Sequence, residues 1–173
     1  MRAKARLLGH PIHPMLIVFP LGLFTVAAIF DIIYISTHNG HWADLSYWMI
    51  ASGIIGGLIA AVFGLIDCLG IPEGTRAKYI GLIHGLSNVV VMILFVVGWF
   101  MRRPNPAAPG MTAMMLGWIG VVIALFASWL GGELVLNVGV DHGANLDAPN
   151  SLSGRPAIGG LGRRPARDVI RAR

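Results

Sequence analysis

The stretch YWMIASGIIGGLIAAVFGLIDCL, residues 47–69, decides the fold class. It carries no charge before Asp67 and exceeds the roughly 20 helical residues that cross a hydrocarbon core of about 30 Å. Three other stretches are comparably apolar, at residues 15–35, 79–101 and 112–136. The breaks between them hold loop chemistry: His38-Asn39-Gly40, Ile71-Pro72-Glu73-Gly74 and Arg103-Pro104-Asn105-Pro106. All the connections are short, so consecutive helices must be antiparallel neighbours. The expected architecture is all-α: an integral membrane, antiparallel four-helix transmembrane bundle over residues 1–142. A disordered basic tail rich in Gly, Pro and Arg is expected over residues 143–173.

Composition agrees. The chain is 55% apolar and 12% charged, about half the charge of a soluble domain. Its net charge of +5 does not point to nucleic acid, because the basic residues sit at the N-terminus, in two short loops and in the tail. One side of the membrane receives Arg2, Lys4, Arg6, Arg76, Lys78 and the tail arginines, and the other only Arg102 and Arg103. The excess places both termini in the cytoplasm, with Arg102 and Arg103 dissenting. The first span follows Arg2, Lys4 and Arg6 as a signal peptide would, but it is too long and lacks a small-residue cleavage site. It reads as a retained helix. The lone Cys68 excludes an internal disulfide.

Within lipid, small residues mark the faces where helices approach closely. In the second span Gly53, Gly56, Gly57, Ala60 and Gly64 form a stripe that also carries Asp67, which should therefore face the bundle. In the fourth span Gly120, Ala124, Ser128 and Gly132 recur at four-residue steps. In the third, Gly81, His84, Asn88, Val91 and Phe95 share a face. In the first, Pro14 suits a first helical turn with His13 as its cap. Pro20 should kink the helix, because its ring meets the Leu16 carbonyl.

Matching the helix ends by depth gathers polar groups near one surface. His84 lies about 7 Å into its helix, and Asp67 and Glu133 lie closer to the same surface. His10 and His13 arrive from the N-terminus, and Asp141 and His142 follow the fourth span. Ionisable residues inside membranes usually pair, and often mark a site. The cluster admits several readings. A b-type haem would take His84 with His13 or His10, beside Asn88, with Arg76 and Lys78 placed for propionates. A divalent metal would instead use His84, Asp67, Glu133 and His13. A third reading is a hydrogen-bonded network that only knits helices together, in a structural or partner-binding subunit. A proton pathway is disfavoured, because a long apolar middle separates the cluster from Asp31. In His10-Pro11-Ile12-His13-Pro14 an extended backbone sets the two imidazoles about 9 Å apart, so one should face inward and the other the surface. No nucleophile elbow, phosphate loop or Cys pair is present, so no catalytic residue is assigned.

Several short motifs occur in a fixed order: Gly9-His10-Pro11-Ile12-His13-Pro14 leading into Phe19-Pro20, then Gly64-Leu65-Ile66-Asp67. Next come Ile71-Pro72 with Gly74-Thr75-Arg76, then His84-Gly85 with Asn88, and Gly131-Gly132-Glu133-Leu134-Val135. Together they resemble the domain-of-unknown-function 2231 family of prokaryotic membrane proteins, over about residues 8–140. The resemblance implies a four-helix unit in a bacterial inner (plasma) membrane, with no established activity. Many members carry a histidine before the Phe-Pro pair, where this chain has Val18. Some stand beside cytochrome-like domains, which implies a redox partner. Otherwise the partners expected are the lipid bilayer and another membrane subunit.

Overall fold

In a computed structural model, which describes residues 4–138, the chain opens with a small hairpin, β1 (Arg6–Leu7) and β2 (His10–Pro11). Its two-residue turn places both Leu8 and Gly9 at positive φ, the combination a type I′ hairpin requires. The Ile12 N–H donates to the Ala5 carbonyl at 3.0 Å, and this contact turns the chain directly into a helix. Helix α1 (Ile12–Leu16) therefore starts two residues before Pro14, with Pro11 rather than His13 at its cap.

The backbone breaks at Ile17, and α2 runs from Val18 to Thr37. Pro20 supplies the reason, since it has no N–H for the Leu16 carbonyl. Helix α3 spans Gly40–Leu69, α4 spans Arg76–Arg102 and α5 spans Met111–Gly132, followed by a π-helical turn over Glu133–Asn137. Four segments of 26, 30, 27 and 26 residues are thus long and apolar enough to cross a membrane. Helix α3 begins seven residues before the apolar stretch does, because the Asn39 side chain caps it by accepting the His41 N–H.

Large apolar side chains are exposed along all four spans, among them Phe19, Ile55, Leu86 and Trp129. In water so continuous an apolar surface would aggregate, whereas in lipid it is the solvated face. The four spans pack as a square: α2 and α4 each lie against α3 and α5 and face each other across the diagonal. The glycine stripe of α3 is turned inward as its spacing predicts. A Cβ added at Gly53 would stand 2.5 Å from the Phe24 ring, and one at Gly57 would be 3.6 Å from Pro20.

In α5 the buried face is Gly117, Gly120, Ala124, Ala127 and Leu130, not Gly120, Ala124, Ser128 and Gly132. Four-residue steps advance about 400° around a helix, so by Gly132 that row has drifted off the interface. A Cβ at Gly132 would meet nothing within 4 Å.

The two hairpins, α1/α2 with α3 and α4 with α5, repeat one pattern. Phe24 of α2 sits on Gly53 of α3, and Phe95 of α4 sits on Gly120 of α5. Across the diagonal the two phenyl rings stack in parallel, 3.7 Å apart and 5° from coplanar. The bundle therefore has an approximate twofold axis along its length, as parallel two-helix repeats require.

Candidate site on the bundle diagonal

Three side-chain pairs meet across the diagonal, and each joins equivalent positions of the two hairpins. They are His13 with His84, Phe24 with Phe95, and Asp31 with Arg102. The last pair is 71 residues apart, and the other two keep the same separation. Along α1 and α2 on one side, and along α4 on the other, they fall in that order, from the end that bears the N-terminus to the opposite end.

The two histidines are held alike. His13 Nδ1 lies 2.8 Å from the Ala60 carbonyl oxygen, and His84 Nδ1 lies 2.7 Å from that of Ala127. A carbonyl only accepts, so each Nδ1 carries the proton and donates. Both carbonyls already belong to helix ladders, and reaching their second lone pair needs open space beside the backbone. Glycine four residues on provides it in both cases. A Cβ at Gly64 would come within 2.8 Å of the His13 ring, and one at Gly131 within 3.2 Å of the His84 ring. The spacing Gly53, Ala60, Gly64 in α3 recurs as Gly120, Ala127, Gly131 in α5. The α5 seat lies directly before the π-helical turn that begins at Glu133.

With Nδ1 donating, Nε2 is the ring atom through which either imidazole could ligate a metal. The ring centres are 6.3 Å apart and the planes are nearly perpendicular, at 88°. Asn88 Nδ2 donates to the His84 carbonyl at 2.9 Å and to His84 Nε2 at 3.2 Å, so that ring nitrogen already has a donor.

The other residues expected at the site are directed elsewhere. Asp67 is half-buried, and its Oδ1 accepts the Ala5 N–H at 2.9 Å, tying the N-terminal hairpin to the end of α3. Glu133 is ion-paired with Arg76 at 2.8 Å. Lys78 donates to the Cys68 and Ile71 carbonyls that end α3 and lies 3.2 Å from Glu73. His10 sits in the exposed hairpin against the Leu8 carbonyl, so of the two N-terminal histidines only His13 turns inward. Among the described residues no three His, Cys, Asp or Glu side chains converge. The four-residue set His84, Asp67, Glu133 and His13 is thus divided, with only the histidines together. Asp141 and His142 lie outside the described residues. Val18 is 60% exposed on the outer surface, so the departure from the resembled pattern leaves the histidine pair untouched.

Sequence reasoning missed the Asp31–Arg102 pair altogether. Arg102 is not a loop cation: it is 0% exposed, and its guanidinium grips Asp31, itself 1% exposed, in a bidentate pair at 2.7 and 2.6 Å. Ser46 Oγ accepts from it at 3.1 Å and the Ala113 carbonyl at 3.2 Å. Arg103 stacks over Trp99 and Phe100. The signal available beforehand was the repeat, since aligning His13 with His84 aligns Asp31 with Arg102.

No curated protein and no solved structure matches the chain. A family model described as "Predicted membrane protein (DUF2231)" matches residues 9–144, a segment that includes both histidine seats and both members of the ion pair. The chain belongs to that family.

Proposed function

We propose that the protein is a multi-pass protein of the bacterial inner membrane whose two hairpins jointly hold a metal centre between His13 and His84, serving electron transfer rather than catalysis. The observation that carries this reading is the pair of equivalent imidazoles. Metal-ligating histidines ordinarily donate their second ring N–H to a carbonyl or carboxylate, which fixes ring and tautomer, and both rings have that arrangement. His13 and His84 would hold the ion through their remaining ring nitrogens, with His84 Nε2 exchanging its Asn88 contact for the ion, and the two ring centres lie 6.3 Å apart. Haem iron and a bare divalent ion share this ligand chemistry. Because Arg76 and Lys78 already have carboxylate partners, haem propionates would have to compete for them.

The charge distribution supports cytoplasmic termini. Lys4, Arg6, Arg76 and Lys78 stand at the end bearing the N-terminus, while the dissenting Arg102 is neutralised within the bundle by Asp31. Only Arg103 is left as an exception. A second reading, a structural or partner-binding subunit, is favoured by the same hydrogen bonds: each histidine staples its own helix to its neighbour without a ligand.

Visible spectroscopy and metal analysis of protein purified in mild detergent separate these readings. A Soret band that disappears in His84→Ala identifies haem. Colourless protein with one equivalent of metal, lost in His13→Ala and in His84→Ala, identifies an ion. Protein with neither signal sinks the metal-centre reading and leaves the staple. A reporter fused after Arg173 should report cytoplasm, and a periplasmic signal would reverse the orientation.

A further inference from the structure

Of the three pairs on the diagonal, two join like residues and one joins unlike residues. If two copies of the first hairpin associated, His13 would meet a second His13 and Phe24 a second Phe24. The glycine seats at Gly53 and Gly64 would be unchanged. The same holds for two copies of the second hairpin. Neither contact distinguishes a hairpin's proper partner from its own duplicate. The third pair does, because like hairpins would set Asp31 against Asp31, or Arg102 against Arg102.

We propose that Asp31–Arg102 is the pairing key of the bundle, which makes the first hairpin accept the chain's own second hairpin and reject a copy of itself. The surroundings are built for one cation and one anion. Asp31 and Arg102 are 1% and 0% exposed, and the Ser46 hydroxyl faces the guanidinium from the opposite hairpin while donating to the Ala27 carbonyl. Ala113, whose carbonyl meets Arg102, occupies in α5 the place Ser46 holds in α3. Retention of the pair is not explained by stability alone. Well-packed apolar residues usually match or exceed a buried ion pair, whereas fixing register and partner is the best-attested use of such groups. Each like-charge contact would lack compensation at a position closed to solvent. This inference is independent of any metal centre.

The test uses the full chain in detergent micelles, with melting temperature and light-scattering mass as readouts. Reversing one charge, Asp31→Arg or Arg102→Asp, should lower the melting temperature by roughly 10 °C or more. Exchanging both, D31R with R102D, should recover at least half of that loss, because the Ser46 carbonyl offers the moved arginine what the Ala113 carbonyl offers Arg102. The apolar pair D31L with R102M should melt within a few degrees of the parent. Its mass distribution should nevertheless broaden to oligomers that the parent does not form, as like hairpins begin to associate. Three outcomes would overturn the key: an exchange no more stable than the single reversals, an apolar pair with the parent's mass distribution, or an apolar pair that melts as low as the reversals.

Discussion

The two ends of the bundle diagonal handle polar side chains in opposite ways. At the end bearing the N-terminus, His13 and His84 are half-buried, and each is anchored through one nitrogen to the backbone of the adjacent helix. At the other end Asp31 and Arg102 are sealed from solvent and bind each other through both carboxylate oxygens. Between them the Phe24–Phe95 stack closes the core. A polar pair that spends its bonds on itself contributes to the fold. The histidine pair is instead anchored to two separate backbones, and Asn88 meets the second ring nitrogen of His84. What separates the two ends is the partner: at the sealed end the two side chains bind each other, and at the histidine end each binds the backbone of a neighbouring helix.

The largest effect should come from opening the sealed end. Arg102→Met leaves Asp31 buried without its partner and should cost about 3–5 kcal/mol, read as a large fall in melting temperature in detergent. A loss below about 1 kcal/mol would mean that Asp31 reaches water, which would erase the contrast between the ends.

Overpacking the glycine seats should come next and should be graded. Gly53→Ala drives a methyl to 2.5 Å from a phenyl ring held in the parallel stack, Gly64→Ala to 2.8 Å from His13, and Gly131→Ala to 3.2 Å from His84. Costs should fall in that order, from about 3 to about 1 kcal/mol. Equal costs for Gly53→Ala and Gly131→Ala would show that the rings move aside freely. The two histidine seats should also differ from the phenylalanine seat in kind. Gly64→Ala should shift the His13 ring resonances in an NMR spectrum of imidazole-labelled protein, and Gly53→Ala should not.

Smaller still, His13→Ala or His84→Ala removes one staple, worth about 1 kcal/mol. The two imidazoles are hydrogen-bonded to different helices but meet edge to face, so without a ligand their losses should add to within the small coupling of that contact. A coupling that grows when metal is supplied and vanishes when it is chelated would reveal a shared centre. The smallest global effect belongs to Asp67→Ala. It frees the Ala5 N–H and should raise protease cleavage near Leu8 while shifting the melting temperature by less than about 1 kcal/mol equivalent. A large shift would make the N-terminal hairpin part of the core.

Four spans, their antiparallel order and the inward stripe of α3 were legible in the residues alone. Length and hydropathy suffice when the solvent is lipid, because every backbone group must then be satisfied within a helix. The proline break near Pro20 was legible too, since it follows from local backbone chemistry. That one histidine of His10 and His13 faces inward was also legible, but not for the reason expected, because His13 lies in helix α1 and not in an extended backbone. Which polar groups converge was not. Asp67 and Glu133 share a depth with the histidines, but depth constrains one coordinate and leaves the direction around each helix open. The structure turns those carboxylates towards Ala5 and Arg76. The row of small residues in α5 was misassigned for a related reason, since regular four-residue steps drift around a helix of 3.6 residues per turn. Charge counting treats every arginine near a span end as wet and so puts Arg102 in a loop. Only tertiary packing could seat it beside Asp31, because a buried ion pair depends on two helices that are distant in sequence meeting across one axis.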